Sequence, residues 1–190
     1  MAIGDIIVGM DIGTSKVSMV IGEVNNFNQI EVIYTDSQKC SGIKKGKIID
    51  EDEIVLAVTK LIKNAEIDAN LTINSTYITI PGKYVTIVQN SIVKEAKDRY
   101  AGISMKDVSS SIMQVSDIDI PEGKQIIDIV TDRFILENGK IVQDPVGSLS
   151  SSFTLKAQIA LADKDYVKKI TNILKLSLIH ISEPTRQAEI

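Results

Sequence analysis

Val8–Val20 reads VGMDIGTSKVSMV. The apolar run Ile6–Met10 that leads into it has the character of a buried strand. A polar turn follows, Asp11-Ile12-Gly13-Thr14-Ser15. Lys16–Val24 then alternates, with Val17, Met19 and Ile21 on one face and Ser18, Val20 and Gly22 on the other. The short turn predicts that the two strands form a hairpin. One tight turn thus gathers a carboxylate, a glycine, two hydroxyls and a lysine. Phosphate binding needs backbone N–H groups that converge on one concavity. Gly13, having no Cβ, lets the backbone approach a phosphate closely. Thr14 and Ser15 add hydroxyl donors, and Lys16 adds a positive charge suited to a β- or γ-phosphate. Asp11 does not bind phosphate directly but suits a Mg²⁺ held through water, because Mg²⁺ keeps part of its hydration shell. A plain hairpin turn is the competing reading, since Asp, Gly, Thr and Ser are good turn formers. Context favours the phosphate reading: the turn lies at the start of the chain, between two strands, with a third strand and a helix behind it. Neither G-x-x-x-x-G-K-[ST] nor G-x-G-x-x-G occurs, which excludes the P-loop and Rossmann routes to nucleotide binding.

Beyond the turn, Asn25–Asn28 reads as a second turn and Ile30–Ser37 as a third strand, completing an antiparallel meander. Ser41–Lys47 (SGIKKGK) is a basic connection. Asp50 is placed to cap a helix, with Glu53 as its capping-box partner. Ile54, Val58, Leu61, Ile62 and Ala65 recur at helical spacing. Thr76–Ile80 is a further strand, and a strand reached through a helix predicts an α/β layer. Pro81-Gly82 breaks the pattern and opens a separate small unit. There Tyr84–Val93 is extended, Ser104 with Asp107 caps a helix running to about Val115, and Lys124–Leu136 is β-rich. Asn138-Gly139 marks a tight hairpin. Asp144-Pro145-Val146-Gly147 is a turn. Phe153, Leu155, Ala157, Ile159 and Leu161 alternate along a half-buried strand. Asp163 caps a last helix with Val167, Ile170 and Leu174 on one face.

The composition agrees with a globular chain: 190 residues, 44% hydrophobic and 24% charged. A formal net charge of −4 argues against nucleic acid as a partner. No apolar run has the length of a membrane span, and the N-terminus lacks the basic start and apolar stretch of a signal peptide. Cys40 is the single cysteine and His180 the single histidine. A disulfide framework, a Ser-His-Asp hydrolase and a His-rich zinc site are thereby disfavoured, and the cytoplasm is the default compartment. Cys40, with no cationic neighbour in sequence, reads as a buried neutral thiol. Asp50, Glu51, Asp52 and Glu53 complement a helix N-terminus rather than a metal. Ser109–Ser111 reads as a helix face, Ser148–Ser152 as a loop, and Lys44, Lys45 and Lys47 as a solvated basic loop.

The phosphate-loop candidate resembles the first phosphate loop of the actin/Hsp70/sugar-kinase ATPase superfamily. SGIKKGKIID, YITIPGKYV and QDPVGSLSSSFTLKAQIAL narrow the resemblance to the FtsA family of actin-like bacterial division proteins, over about Ile6 to Lys175. The resemblance implies an α/β, actin-like (ribonuclease H-like) ATPase fold, N-terminal half only, with an inserted small α+β subdomain. Residues 1–82 with 163–175 would be subdomain 1A, and residues 83–162 subdomain 1C. It further implies ATP and Mg²⁺ as cofactors, with Asp11 on the Mg²⁺ side and Gly13, Thr14, Ser15 and Lys16 forming the first phosphate loop. No catalytic residue is carried over: the complete protein is at most a weak ATPase, and this part alone is expected to be inactive. The partners implied are FtsZ and other divisome proteins, and further copies of the chain in filaments through the 1C-like subdomain. Attachment to the inner face of the cell membrane, at the division septum, would come through a C-terminal helix beyond this chain. Rival members are a pilus-assembly ATPase, a sugar kinase and a reductase activator. The single cysteine disfavours the activator's iron–sulfur cluster, and the 1C-like insert disfavours the kinase. The final stretch, LSLIHISEPTRQAEI (Leu176–Ile190), resembles the translation of a sequencing adapter and is expected to be non-native, His180 included; the alternative is a helix end with a polar tail.

Overall fold

A computed structural model describes residue 2, residues 4–98 and residues 100–177. The expected non-native tail lies outside them except for Leu176 and Ser177. The chain divides into two units, Met1–Pro81 with the segment from Lys168, and Gly82–Val167.

The first unit is built on β1 (Ile6–Ile12), β2 (Lys16–Val24) and β3 (Ile30–Lys39). Alternation buries Val8, Met10 and Ile12 of β1 and Val17, Met19 and Ile21 of β2 on one side of the sheet. β1 and β2 pair antiparallel from Ile6↔Glu23 to Ile12↔Val17, so Asp11 and Ile12 belong to the ladder and not to the turn. The physical reason is that Ile12 is 5% exposed: its core packing extends the strand by two residues beyond the apolar run. The basic connection is itself a hairpin of β4 (Ile43–Lys44) and β5 (Lys47–Ile48), turned by Lys45 and Gly46 at φ 48° and 71°.

Helix α1 (Glu51–Ala69) starts at Asp50, whose side chain accepts the Glu53 N–H at 3.0 Å. The expected reciprocal box is absent. Glu53 instead accepts from the N–H and hydroxyl of Ser41, both at 2.7 Å, and ties the helix start to the connection before it. Ile54, Val58, Leu61, Ile62 and Ala65 are buried as the spacing predicts, and the helix packs on β2 and β3. Each large side chain so buried contributes roughly 1.5–3 kcal/mol of transfer free energy. Asn70, left-handed at φ 49°, ends the helix. The following strand, β6 (Tyr77–Ile78), is shorter than the sequence suggests and pairs parallel with Gly9 and Met10. The sheet order is β3-β2-β1-β6.

In the second unit a 3₁₀ turn (Gly82–Tyr84) leads into β7 (Val85–Glu95). α2 (Met105–Val115) begins with a complete capping box between Ser104 and Asp107. β8 (Lys124–Leu136) turns through Gly139, at φ 82°, into the short β9 (Ile141–Val142), and β10 (Ser152–Asp163) runs through the middle of the sheet. The order is β7-β10-β8-β9. Phe153, Leu155 and Ala157 of β10 join Ile103, Val115, Phe134 and Leu136 in the core. The opposite face exposes Gln89, Ser91, Arg133, Lys156 and Gln158.

α3 (Lys164–Ser177) carries the chain from the second unit to the first. Asp163 caps it, accepting the Tyr166 N–H at 3.0 Å. Its buried residues are Tyr166, Ile170, Ile173 and Ser177, whereas Val167 and Leu174 are half-buried. The expected face is therefore turned by about one position. Within the second unit, Tyr166 stacks on Tyr84 with ring centroids 4.0 Å apart, which commits the first turn of the helix. Within the first unit, the Ser177 hydroxyl donates to Ile173 O at 2.7 Å and to Val55 O at 3.4 Å.

Candidate functional site

The tip of the β1–β2 hairpin is Gly13-Thr14-Ser15, with Lys16 opening β2. Thr14, Ser15 and Lys16 are exposed and Gly13 is half-buried. The Gly13 N–H donates to Lys16 O at 2.9 Å and closes the turn. That amide is spoken for, so the donors left at the tip are the N–H groups of Thr14 and Ser15, which among the described residues donate to no protein acceptor. Ser15 O accepts from Cys40 N at 3.2 Å, which ties the tip to the end of β3. A Cβ on Gly13 would stand 3.2 Å from Lys16 O and 3.4 Å from Asp11 Oδ2. The glycine therefore keeps the space between turn and carboxylate clear.

Asp11 lies on the open face near the end of β1, opposite Ser18, and its carboxylate is exposed. Its Oδ1 accepts a hydrogen bond from the Thr79 hydroxyl. The Thr79 N–H donates to Met10 O at 3.1 Å, which continues the parallel ladder one residue beyond β6. Asp11 and Thr79 thus stand at the carboxyl ends of two adjacent parallel strands, where α/β sheets place ligands. Sequence reasoning missed Thr79. Its local signal, a β-branched hydroxyl just before Pro81-Gly82, acquires meaning only once β6 pairs with β1.

The donor set fits an anionic oxygen ligand with a hydrated cation beside it. It offers two amides, two hydroxyls and an ammonium at the tip, with one carboxylate behind them. Among the described residues no group of three or more His, Cys, Asp or Glu is placed to hold a metal, so a cation here would rest on Asp11 alone and on water. Asp50–Glu53 sit at the first turn of α1, as expected. Cys40 is 3% exposed, and burial pushes its thiol above the ordinary range; Gly42 opposes that shift, and Glu53 and Asp50 add to it. Ser109, Ser110 and Ser111 donate to helix carbonyls, consistent with a structural reading. Among the described residues no helix is long and apolar enough to cross a membrane.

Residues 82–161 match the family described as the SHS2 domain inserted in FtsA. Cell division protein FtsA of Pseudomonas aeruginosa is 26% identical over 156 residues, which is 82% of this chain and 36% of that protein. FtsA of Bacillus subtilis is 22% identical over 179 residues, 94% of this chain and 40% of that protein. The chain thus spans 36% to 40% of the length of these relatives. Among solved structures, the PilM-PilN type IV pilus biogenesis complex matches 90% of this chain and 44% of that chain, with a TM-score of 0.57 and 12% identity, a likeness of fold alone. The chain is thus similar to FtsA proteins over most of its length, and its residues 82–161 match the SHS2 domain inserted in FtsA.

Proposed function

We propose that this chain is the N-terminal part of an actin-like division ATPase and supplies one wall of its ATP site. The observation that carries the reading is the juxtaposition of Asp11 with the clear, donor-bearing turn Gly13-Thr14-Ser15-Lys16 at the carboxyl end of the parallel pair β1 and β6. The Thr14 and Ser15 amides and hydroxyls hold phosphate oxygens, and Lys16 offsets their charge. Asp11 holds Mg²⁺ through water; when bound, that ion neutralises phosphate charge. Residues 1–82 with 163–175 act as subdomain 1A and residues 83–162 as subdomain 1C.

FtsA relatives support a role in cell division. The finer assignments follow from that kinship: docking of the tubulin-like FtsZ, filaments built through the 1C-like unit, and attachment to the inner membrane face at the septum through a helix outside this chain. Hydrolysis, if the complete site performs it, is slow, and this part alone is inactive. The test is a fluorescent fusion of the full-length gene product in its source bacterium. The reading predicts a band at the division site that is lost when FtsZ is depleted. An even distribution through the cell contradicts it.

A further inference from the structure

We infer that Thr79 is a positioning residue for Asp11: its hydroxyl fixes the carboxylate so that one oxygen is occupied and the other faces the phosphate turn. The inference rests on the nucleotide reading above. Three observations carry it. The hydroxyl donates to Asp11 Oδ1. The Thr79 main chain is anchored beside it through the N–H donated to Met10 O at 3.1 Å, the residue just before Asp11. Asp11 Oδ2 lies 3.4 Å from the Cβ position that Gly13 leaves empty, so the second oxygen is directed at the turn. A β-branched side chain is stiff at χ1. Thr79 is therefore a pre-set donor. A carboxylate that carries a hydrated cation through one oxygen gains from having the other held, as outer-shell partners hold metal ligands elsewhere.

Two readouts test it. In the 190-residue chain, three-bond couplings across the Asp11 Cα–Cβ bond report its rotamer without any nucleotide. One rotamer is expected in the parent chain and in Thr79→Ser, and rotamer averaging in Thr79→Val. In the full-length protein, Thr79→Val is expected to weaken Mg²⁺-ATP binding by about tenfold, with Mg²⁺-free ATP binding unchanged and Thr79→Ser restoring affinity. A single Asp11 rotamer in Thr79→Val overturns the proposal, whatever happens to nucleotide. So does unchanged Mg²⁺-ATP affinity in Thr79→Val where Asp11→Asn abolishes it, a result that leaves the nucleotide reading standing. If Asp11→Asn also changes nothing, both fall together.

Discussion

Asp107 shows how a single carboxylate sets a local stability. It accepts from the N–H of Ser104 at 2.9 Å and from its hydroxyl at 2.6 Å, and these donors, led by the hydroxyl, hold its pKa below the usual carboxylate range. A group depressed in the folded state adds stability above its unfolded pKa, near 3.9, and loses it as pH falls through the folded value. Ser104→Ala should therefore cost about 1 kcal/mol at neutral pH, read from the urea midpoint of the 190-residue chain. The deficit should shrink as pH falls below the unfolded pKa and through the parent's lower folded value, where the carboxylate held by Ser104 takes up its proton. A deficit independent of pH contradicts this account. Glu53 makes the complementary point. Its spacing from Asp50 is that of a capping box, yet it is taken by Ser41, twelve residues earlier in sequence. Local spacing names the candidates for a bond, and tertiary neighbours choose among them.

At the scale of elements, the strongly patterned segments were readable and the short, context-dependent ones were not. β2, α2 and β8 carry their own periodicity or caps and fall where the pattern puts them. β10 is as clear, since its alternation is the second unit's core: Leu155 is 0% exposed, while Gln158 on the opposite face is exposed. Leu155→Ala should accordingly cost about 2–5 kcal/mol, against less than about 0.5 kcal/mol for Gln158→Ala, both read from urea midpoints. Similar costs at the two positions would overturn the assignment of faces. The β4–β5 hairpin and the shortened β6 lie beyond local reading, because two-residue ladders rest on partners rather than propensity. The face of α3 was displaced for the same kind of reason. Tyr166, polar-tipped and outside the expected apolar stripe, is drawn in by stacking on Tyr84. At the site, Asp11 and Gly13–Lys16 were visible as a cluster in sequence. Thr79 was not, because the parallel pairing of β1 with β6 brings together residues 68 positions apart.

For the whole molecule, the comparisons agree with one another: the chain is similar to FtsA proteins over most of its length, residues 82–161 match the SHS2 domain inserted in FtsA, and the chain spans 36% to 40% of the length of the two relatives compared. In our reading the turn Gly13–Lys16 serves as the first phosphate loop, and the rest of the cleft comes from further parts of the full-length protein. The central claim is that Asp11 and the turn beside it form the Mg²⁺-dependent wall of a nucleotide site. It is tested most directly by titrating ATP, with and without Mg²⁺, into the full-length protein and its Asp11→Ala variant. The account predicts that the variant keeps its circular dichroism spectrum and loses the Mg²⁺-dependent part of ATP binding. Equal affinity in the two proteins, with Mg²⁺ present, would contradict it.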